Sequence, residues 1–260
     1  MRTPAKAGVQ QQRRNWTPAF AGVQRSMTED SDDIPLDPGF AARFDSDIRR
    51  LPCELYLISP ATIGPEFADK LIEALDAAPV AAFQLRLKGI DDHAIADLAP
   101  PLQKICADRE VAFIVNDSIG LAKRLGADGV HLGQDDGSVM EAREALGRDA
   151  QIGVTCHGSR HLALEAAEEG ADYVAFGAFY PTTTKETEHR PEASILGWWS
   201  TICGVPCVAI GGITPENARP LVEAGADFVA VCSAVWDDPA GPGAAVKRFA
   251  AVLAPAKAGS

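Results

Sequence analysis

The chain of 260 residues is 47% hydrophobic, so it can bury the core of one large α/β barrel or of two smaller domains. Its formal net charge of −12 excludes nucleic acid and an anionic membrane as main partners, because both favour a basic protein face. An anionic small molecule remains compatible with this charge wherever cationic side chains are concentrated locally.

The six cysteines predict a reducing compartment, because they lie mostly in apolar runs and form no paired framework. Cys203 and Cys207 lack a matching second pair, which favours buried thiols over a zinc site. No apolar stretch approaches the roughly 20 residues that span a bilayer. We therefore expect a cytoplasmic protein that does not contact a membrane.

Residues 1–26 differ from the remainder in charge and in repetition. They carry five basic residues and no acid, and Thr3–Gln10 recurs as Thr17–Gln24 with one substitution. They lack the apolar segment of a signal peptide, and their Gly and Pro residues oppose an amphipathic helix. We predict a disordered or poorly ordered extension over residues 1–50, with Met27 as an alternative initiator, one catalytic domain over 51–254 and a flexible tail over 255–260.

From residue 51 onward, eight short apolar runs alternate with longer helical patterns. Most runs start about 20 to 35 residues apart, as a strand, loop, helix and loop require. The predicted strands are Glu54–Ile58, Ala82–Arg86, Ala112–Asn116, Gly129–Leu132, Ile152–Thr155, Tyr173–Phe176, Cys207–Ile210 and Phe228–Val231.

The segments between the runs have helical patterns that end in glycine, such as Glu216–Gly225. The phrase Gly-Ala-Asp precedes three strands, at 126–128, 170–172 and 225–227, which indicates one repeated turn chemistry. Continuous apolar strands are typical of a parallel sheet covered by helices, and eight such units close most simply into a (β/α)8 TIM barrel. A doubly wound open sheet is the alternative.

Polar residues concentrate just after the predicted strands, where barrels bind their ligands. The sixth run is followed by Thr182–Lys185, whose hydroxyls and ammonium suit phosphate oxygens, although a polar surface turn is an alternative. The other polar strand ends are Gln84, Arg86 and Lys88; Asn116 and Asp117; His131, Gln134, Asp135 and Asp136; Thr155 and His157; Gly211 and Gly212; and Ser233.

Asp117 and Asp136 follow adjacent strands, and Mg²⁺ commonly takes one or two carboxylates together with phosphate oxygens and water. Helix caps or turn formers are the alternative interpretation of these acids. Arg86, Lys88 and Lys185 would hold a diphosphate beside the metal and stabilise charge that grows on a leaving group. These residues therefore predict a site for Mg²⁺ and a diphosphate.

A second anion site is predicted at Gly211–Gly212, where glycine exposes backbone N–H groups before a helix. Thr214 suits the N-cap of that helix and Pro215 its first position. Together with Cys232 and Ser233 after the eighth strand, these residues match the phosphate site that barrels often build from their last two loops.

The histidines do not indicate a nucleophilic triad. His131 lies inside a strand, which favours a packed and hydrogen-bonded histidine over a general base. His157 lies at a strand end, where it could touch a substrate. No serine or cysteine stands with an evident matching acid.

These motifs resemble the signatures of the thiamine phosphate synthase family. The matching segments are Gln84–Lys88, Val115–Asp117, His131–Asp136, Pro181–Lys185 and Ile210–Ile213. The resemblance covers about residues 53–252 and implies a (β/α)8 barrel enzyme, a transferase that uses Mg²⁺. Such an enzyme joins two small molecules, an aminopyrimidine-methyl diphosphate and a thiazole phosphate, to give thiamine phosphate and diphosphate. Association of identical chains into a homo-oligomer stays open.

The resemblance also implies roles for individual residues. Asp117 and Asp136 would hold Mg²⁺. The residues that act on the pyrimidine diphosphate would be Arg86, Lys88, Thr155 and Lys185 as catalytic groups, with Gln84, Leu85, Leu87 and Asn116 as further substrate contacts. The thiazole phosphate would meet Thr182, Thr183, Thr184, Gly212, Cys232 and Ser233. The implied chemistry is dissociative: diphosphate leaves first, and the thiazole nitrogen attacks the resulting cation.

Three positions depart from the family pattern. Leu87 stands where an acid is common, Thr155 replaces a more common serine, and Ser118 follows Asp117 where a charged residue is frequent. A related thiazole tautomerase, with His157 as its acid–base residue, and a non-catalytic phosphate-binding barrel are the alternatives. The complete set of cations and acids favours the synthase.

Overall fold

The computed structural model describes residues 52–182 and 190–254. Its strands are β1 Glu54–Ile58, β2 Ala82–Leu85, β3 Ala112–Asn116, β4 Gly129–Leu132, β5 Gln151–His157, β6 Tyr173–Gly177, β7 Cys207–Ile210 and β8 Phe228–Val231. Its helices are α1 Phe67–Ala77, α2 Asp92–Ala107, α3 Ile119–Leu125, α4 Val139–Leu146, α5 Arg160–Glu168, α6 Ser194–Ile202, α7 Arg219–Ala224, α8 Ser233–Trp236 and α9 Pro242–Leu253.

The eight strands form a closed parallel barrel in chain order, in which β1 pairs with both β2 and β8. The predicted (β/α)8 TIM barrel is therefore confirmed, and the open-sheet alternative is excluded. Within the described part of the chain, no helix has the length and apolar character needed to cross a membrane. The predicted extension and tail, residues 1–50 and 255–260, lie outside the described residues.

Alternate residues of each strand pack on opposite faces of the barrel wall. Phe83 and Phe113 belong to the larger apolar cluster between the strands and the helices, whereas Ile114 and Val208 fill the barrel interior. Because both faces of the wall are buried, the strands appear in the sequence as continuous apolar runs rather than as alternating patterns.

The helix predicted from Pro215 begins only at Arg219. Pro220 has no backbone N–H, so a helix that started at Pro215 would lack one of its first hydrogen bonds. A turn precedes α7 instead, in which the Asn217 side-chain oxygen accepts a 2.8 Å hydrogen bond from the Thr214 backbone N–H. The prediction of Thr214 as the N-cap is therefore wrong.

The three Gly-Ala-Asp phrases form one repeated structure at the amino-terminal end of the barrel. The Asp128 carboxylate accepts a 2.8 Å hydrogen bond from the Phe113 backbone N–H, and the Asp128 N–H donates to the Phe113 carbonyl. Asp172 and Asp227 make the same two bonds to β5 and β7. Each aspartate thus joins the start of an even-numbered strand to the preceding odd-numbered strand, as the repeated turn chemistry predicts.

The barrel interior also contains a polar layer. The Tyr173 hydroxyl on β6 lies 2.9 Å from the Tyr56 hydroxyl on β1 and 3.1 Å from Nδ1 of His131 on β4. The Tyr173 ring fits because Gly153 has no side chain, and a Cβ there would lie 2.0 Å from the ring. Burial lowers the pKa of His131 from 6.5 to about 4, against an opposing effect of Asp117. His131 is therefore the packed and hydrogen-bonded histidine that the sequence predicts, and its low pKa keeps it neutral at pH 7.

We predict that Asp128→Ala lowers the free energy of unfolding by about 1 to 3 kcal/mol, because the Phe113 N–H loses its side-chain partner. Urea denaturation measures the change. Asp97→Ala, which removes an exposed acid from α2, is the control for the loss of charge. Equal stabilities of the two variants would contradict a structural role for the repeated aspartate.

His131 also predicts a pH-dependent stability. The unfolded state takes up a proton near pH 6.5, but the folded state does so only near pH 4, so acidification through this window favours unfolding. The contribution of His131 to the loss of stability should reach about 3 kcal/mol by pH 4.

Urea denaturation of the metal-free protein at a series of pH values measures this slope. His131→Gln should flatten it between pH 6.5 and about 4, whereas His161→Gln, at an exposed position on α5, should not. An unchanged slope in His131→Gln would show that His131 takes up its proton equally in both states.

Candidate active site

The predicted site residues that the structure describes lie at or just beyond the carboxyl ends of the strands. Because all eight strands are parallel, these ends surround one mouth of the barrel. β2 ends one residue earlier than predicted, so Arg86 already belongs to the following loop, whereas β5 extends to His157. Thr183, Thr184 and Lys185 lie outside the described residues, and their roles stay predictions.

Ser59, directly after β1, fixes the start of the cationic loop after β2. Its buried hydroxyl oxygen accepts a 2.8 Å hydrogen bond from the Arg86 backbone N–H, and its own N–H donates to the Gln84 carbonyl over 2.9 Å. Its carbonyl accepts a hydrogen bond from the Cys232 thiol at 3.4 Å. Sequence reasoning missed Ser59, although a polar residue between the apolar end of β1 and Pro60 was the available signal.

The two predicted metal ligands come together beside a cation. Lys88 Nζ lies 2.6 Å from an oxygen of Asp117, in a pair that is partly exposed. A carboxylate oxygen of Asp136 accepts a 2.8 Å hydrogen bond from the Gly133 N–H. Burial raises the pKa of Asp136, and the nearby Asp117 raises it further, while the Gly133 N–H and Lys88 oppose the shift. We call Lys88, Asp117 and Asp136 the charge cluster.

A tight turn directs Asp117 into this cluster. Asp117 has φ 66°, a left-handed conformation that is uncommon outside glycine, and the Ser118 N–H donates to the Asn116 carbonyl across it over 2.8 Å. The Ser118 hydroxyl donates to Asp92 over 2.5 Å and accepts a bond from the Leu121 N–H. The serine that departs from the family pattern therefore caps α3 and ties the start of α2 to the loop after β3.

Gln84 and Thr155 connect the mouth to the polar layer of the barrel. Gln84 Nε2 donates a 3.1 Å hydrogen bond to the Tyr56 hydroxyl oxygen, and the Thr155 hydroxyl lies 2.8 Å from Nε2 of His131. The Thr155 carbonyl also accepts a 2.6 Å hydrogen bond from Gln134 Nε2. The sequence predicted both ends of this arrangement but did not identify the tyrosines between them.

Leu85 and Leu87 face away from the mouth. Their side chains are 2% and 6% exposed and belong to the apolar cluster between the strands and the helices. Alternation along the chain explains this placement, because Gln84 and Arg86 occupy the intervening positions. A substrate at the mouth can therefore meet these leucines through their backbone atoms but not through their side chains.

The segment after β6 packs closely against the glycine pair after β7. The Phe179 and Tyr180 backbone N–H groups donate to carbonyls at the end of β7. Gly212 has φ 64°, and a Cβ there would lie 2.3 Å from the Pro181 carbonyl oxygen. The glycine is therefore required for this close approach, whether or not its N–H also binds a phosphate.

The end of β8 leads into a short helix, α8, which starts at Ser233. Burial raises the pKa of the preceding Cys232 thiol to about 11, and the Arg86 guanidinium opposes this shift. The thiol is therefore protonated at neutral pH. A short extra helix after the last strand is a common phosphate-binding element in barrels, and the phosphate contacts of Gly212, Cys232 and Ser233 stay predictions.

The residues present fit a divalent metal ion. Within 52–182 and 190–254, no third His, Cys, Asp or Glu side chain joins Asp117 and Asp136. Mg²⁺ needs no more than this, because it usually retains waters and takes its remaining ligands from substrate phosphates. Burial and the nearby Asp117 both raise the pKa of Asp136, and a bound cation would offset both effects.

Known proteins share both the sequence and the length of this barrel. A family model described as thiamine monophosphate synthase matches residues 55–235. The thiamine-phosphate synthase of Erythrobacter litoralis is 60% identical over 210 residues, which cover 79% of this chain and 98% of the relative. That of Rhodospirillum centenum is 56% identical over 202 residues, which cover 77% and 98%.

A solved structure, the thiamine phosphate pyrophosphorylase of Pyrococcus furiosus, shares the fold with a TM-score of 0.68 at 29% identity. The shared region covers 78% of this chain and 96% of that one. The matches include the strands that carry the charge cluster and the glycine pair after β7. By sequence and by fold, the chain belongs to the thiamine monophosphate synthase family.

Proposed function

We propose that the barrel mouth joins an aminopyrimidine-methyl diphosphate to a thiazole phosphate, giving thiamine phosphate and diphosphate with the help of Mg²⁺. The charge cluster of Lys88, Asp117 and Asp136 is the observation that carries this proposal. A departing diphosphate is stabilised by positive charge. The Lys88 ammonium can supply this charge directly, and the two carboxylates can supply it by holding a metal ion.

The two ends of the pyrimidine substrate require different partners. Gln84 is buried and offers an amide, which can pair with an aminopyrimidine edge through one donor and one acceptor. Arg86 and Lys88 follow it at the mouth, where their positive charges suit the diphosphate. Asn116 and Thr155, at the ends of β3 and β5, supply further polar contacts.

The reaction needs no general base in this scheme. The bond between the methylene carbon and the diphosphate oxygen breaks, and both electrons leave with the oxygen. The electron-rich aminopyrimidine stabilises the methylene cation, and the thiazole nitrogen then donates its lone pair to form the new carbon–nitrogen bond. Arg86, Lys88 and Lys185 stabilise the negative charge that accumulates on the diphosphate. Asp117 and Asp136 would hold Mg²⁺, which would supply positive charge to the phosphate oxygens.

The second substrate would lie between the loops after β6, β7 and β8. The threonines 182–184 would contact the thiazole, and backbone N–H groups of Gly212, Cys232 and Ser233 would bind its phosphate. Close packing of the segment after β6 against Gly212 supports this arrangement, because it brings the two loops to one place. Exclusion of water by these loops would protect the cation from hydrolysis.

We also propose that the enzyme works in the cytoplasm. The six cysteines are unpaired, which suits a reducing compartment.

The tautomerase alternative makes less use of the described site. It needs an acid–base residue and a phosphate site, and His157 stands at the end of β5 in a left-handed conformation, with φ 52°. A tautomerisation releases no diphosphate, however, so the charge cluster would have no role in that reaction. The non-catalytic alternative does not explain either why two carboxylates and an ammonium come together at the mouth.

Purified protein supplied with both substrates and Mg²⁺ should produce thiamine phosphate and diphosphate in equal amounts, measured by mass spectrometry and phosphate analysis. Mixtures that lack either substrate are the controls. Interconversion of thiazole phosphate tautomers without formation of thiamine phosphate would contradict the synthase proposal and favour the tautomerase.

We predict that Asp117→Asn raises the Mg²⁺ concentration for half-maximal activity roughly 10-fold or more, because a neutral amide binds a hard cation weakly. A Mn²⁺ titration followed by electron paramagnetic resonance measures binding independently of activity and should show the same direction. Asp97→Asn, at an exposed position on α2, is the matched control. Unchanged metal dependence in Asp117→Asn would remove Asp117 from this role.

A further inference from the structure

Five polar side chains form one continuous hydrogen-bonded path through the barrel. Gln84 Nε2 lies 3.1 Å from the Tyr56 hydroxyl, which lies 2.9 Å from the Tyr173 hydroxyl. The path continues over 3.1 Å to Nδ1 of His131 and from its Nε2 over 2.8 Å to the Thr155 hydroxyl. Both end residues lie near the carboxyl ends of their strands, where the pyrimidine diphosphate is proposed to bind, so the inference below rests on the proposed function.

The middle of this path is sealed from water and carries no net charge. The side chains of Tyr56, Tyr173 and His131 are at most 7% exposed. Burial raises the pKa of both tyrosines and lowers that of His131, so each hydroxyl keeps its proton and the imidazole carries one. The number of protons along the path is therefore fixed, and only their direction can vary.

The direction of one hydrogen bond sets the direction of all the others. A hydroxyl inside such a path accepts one bond and donates one, and a neutral imidazole donates from one nitrogen and accepts at the other. Because Gln84 donates to Tyr56, Tyr56 donates to Tyr173, and Tyr173 donates to Nδ1 of His131. His131 then carries its proton on Nε2 and donates to Thr155, which leaves the Thr155 hydroxyl proton available at the mouth.

The opposite direction would present the opposite chemistry. It would turn the Gln84 amide so that its oxygen accepts from Tyr56, and it would direct the Thr155 proton inward to His131. Thr155 would then offer only lone pairs at the mouth. In the direction that follows from the Gln84 bond, Gln84 presents its oxygen and its second N–H, while Thr155 presents a donor.

The proposed substrate distinguishes these two directions at both of its ends. An aminopyrimidine edge offers amino protons to the Gln84 oxygen and a ring nitrogen to its remaining N–H. A diphosphate offers only acceptors, so it needs Thr155 as a donor. The direction set by Gln84 satisfies both ends of one molecule. The reverse direction would exchange the positions of the Gln84 oxygen and NH2 group against the pyrimidine edge, and Thr155 would offer the diphosphate no donor.

We infer that Tyr56, Tyr173 and His131 are positioning residues. They couple the orientation of the Gln84 amide to the direction of the Thr155 hydroxyl proton, and this coupling selects the aminopyrimidine diphosphate. They act through Gln84 and Thr155 and do not touch the substrate themselves. Because selection depends on the direction of the path, a break at its centre should weaken discrimination even when both end residues are intact.

The first test measures the His131 tautomer in the free protein by ¹⁵N NMR of the imidazole nitrogens. The wild type should show a single neutral tautomer protonated on Nε2. Tyr173→Phe keeps the ring over Gly153 but removes the central hydroxyl, so the His131 nitrogen shifts should move toward a tautomer mixture. A wild-type proton on Nδ1, or unchanged shifts in the variant, would overturn the inference.

The second test measures substrate selection. Tyr173→Phe should raise the KM for the pyrimidine diphosphate about 10-fold and leave the KM for thiazole phosphate within about twofold. It should also reduce the preference of the protein for the aminopyrimidine diphosphate over an analogue with an oxo group in place of the amino group. Binding of both ligands is measured without thiazole phosphate. Tyr56→Phe, which breaks the next link, should repeat this pattern.

Tyr180→Phe is the matched control, because it removes a hydroxyl whose bond goes to the Asn217 carbonyl and not to the path. It should leave the His131 tautomer and the amino-over-oxo preference unchanged. Equal increases of the KM values for the pyrimidine diphosphate and thiazole phosphate in Tyr173→Phe, with an unchanged amino-over-oxo preference, would contradict the inference. They would show that the path has only a structural role. If the wild type forms no thiamine phosphate, the proposed function fails, while the tautomer measurement still tests the direction of the path.

Discussion

The approach of two carboxylates, Asp117 and Asp136, is the constraint on which the site depends. Burial raises the pKa of Asp136, and the like charge of Asp117 raises it further. The backbone holds the acids together nevertheless, through the left-handed turn at Asp117 and the hydrogen bond from the Gly133 N–H to Asp136. Lys88 offsets part of the negative charge. Strain and repulsion concentrated at one mouth are characteristic of functional sites.

The barrel makes this arrangement rigid by supporting it from two sides. Ser59 ties the end of β1 to the loop that carries Arg86, and Ser118 ties the loop after β3 to Asp92 at the start of α2. Beneath them, the polar layer around Tyr173 joins β1, β4 and β6 inside the barrel. A catalytic site that works by charge stabilisation depends on such fixed groups, because groups that must reorganise stabilise a transition state less well.

Much of the fold was predictable because parallel strands that are buried on both faces appear in the sequence as continuous apolar runs. The eight apolar runs and the repeated aspartates at 128, 172 and 227 each correspond to an observed element. The start of α7 was not predictable from Thr214 and Pro215 alone, because Pro220 excludes a continuous helix and the resulting turn depends on the Asn217 side chain. Local capping signals thus failed where a second proline intervened.

The site was predictable where its chemistry lies at strand ends and not where it depends on contacts across the barrel. Asp117 and Asp136 follow adjacent strands, so their proximity follows from the topology. The contact of Tyr56 with Tyr173 joins residues 117 positions apart and requires the empty space at Gly153, which no local pattern reveals. Leu87 belongs to a predicted substrate-binding motif, but its side chain packs in the apolar cluster between the strands and the helices. A sequence motif alone therefore does not show which way each of its side chains points.

Anomalous diffraction from crystals grown with Mn²⁺ and the pyrimidine diphosphate most directly tests whether Asp117 and Asp136 together hold the metal ion. Mn²⁺ accepts the oxygen ligands that suit Mg²⁺ and gives an anomalous signal that locates it. We expect a peak bound by the carboxylates of both Asp117 and Asp136 and by diphosphate oxygens, with Lys88 beside them. A diphosphate bound at the mouth with Mn²⁺ elsewhere, or with neither carboxylate as a ligand, would contradict this expectation.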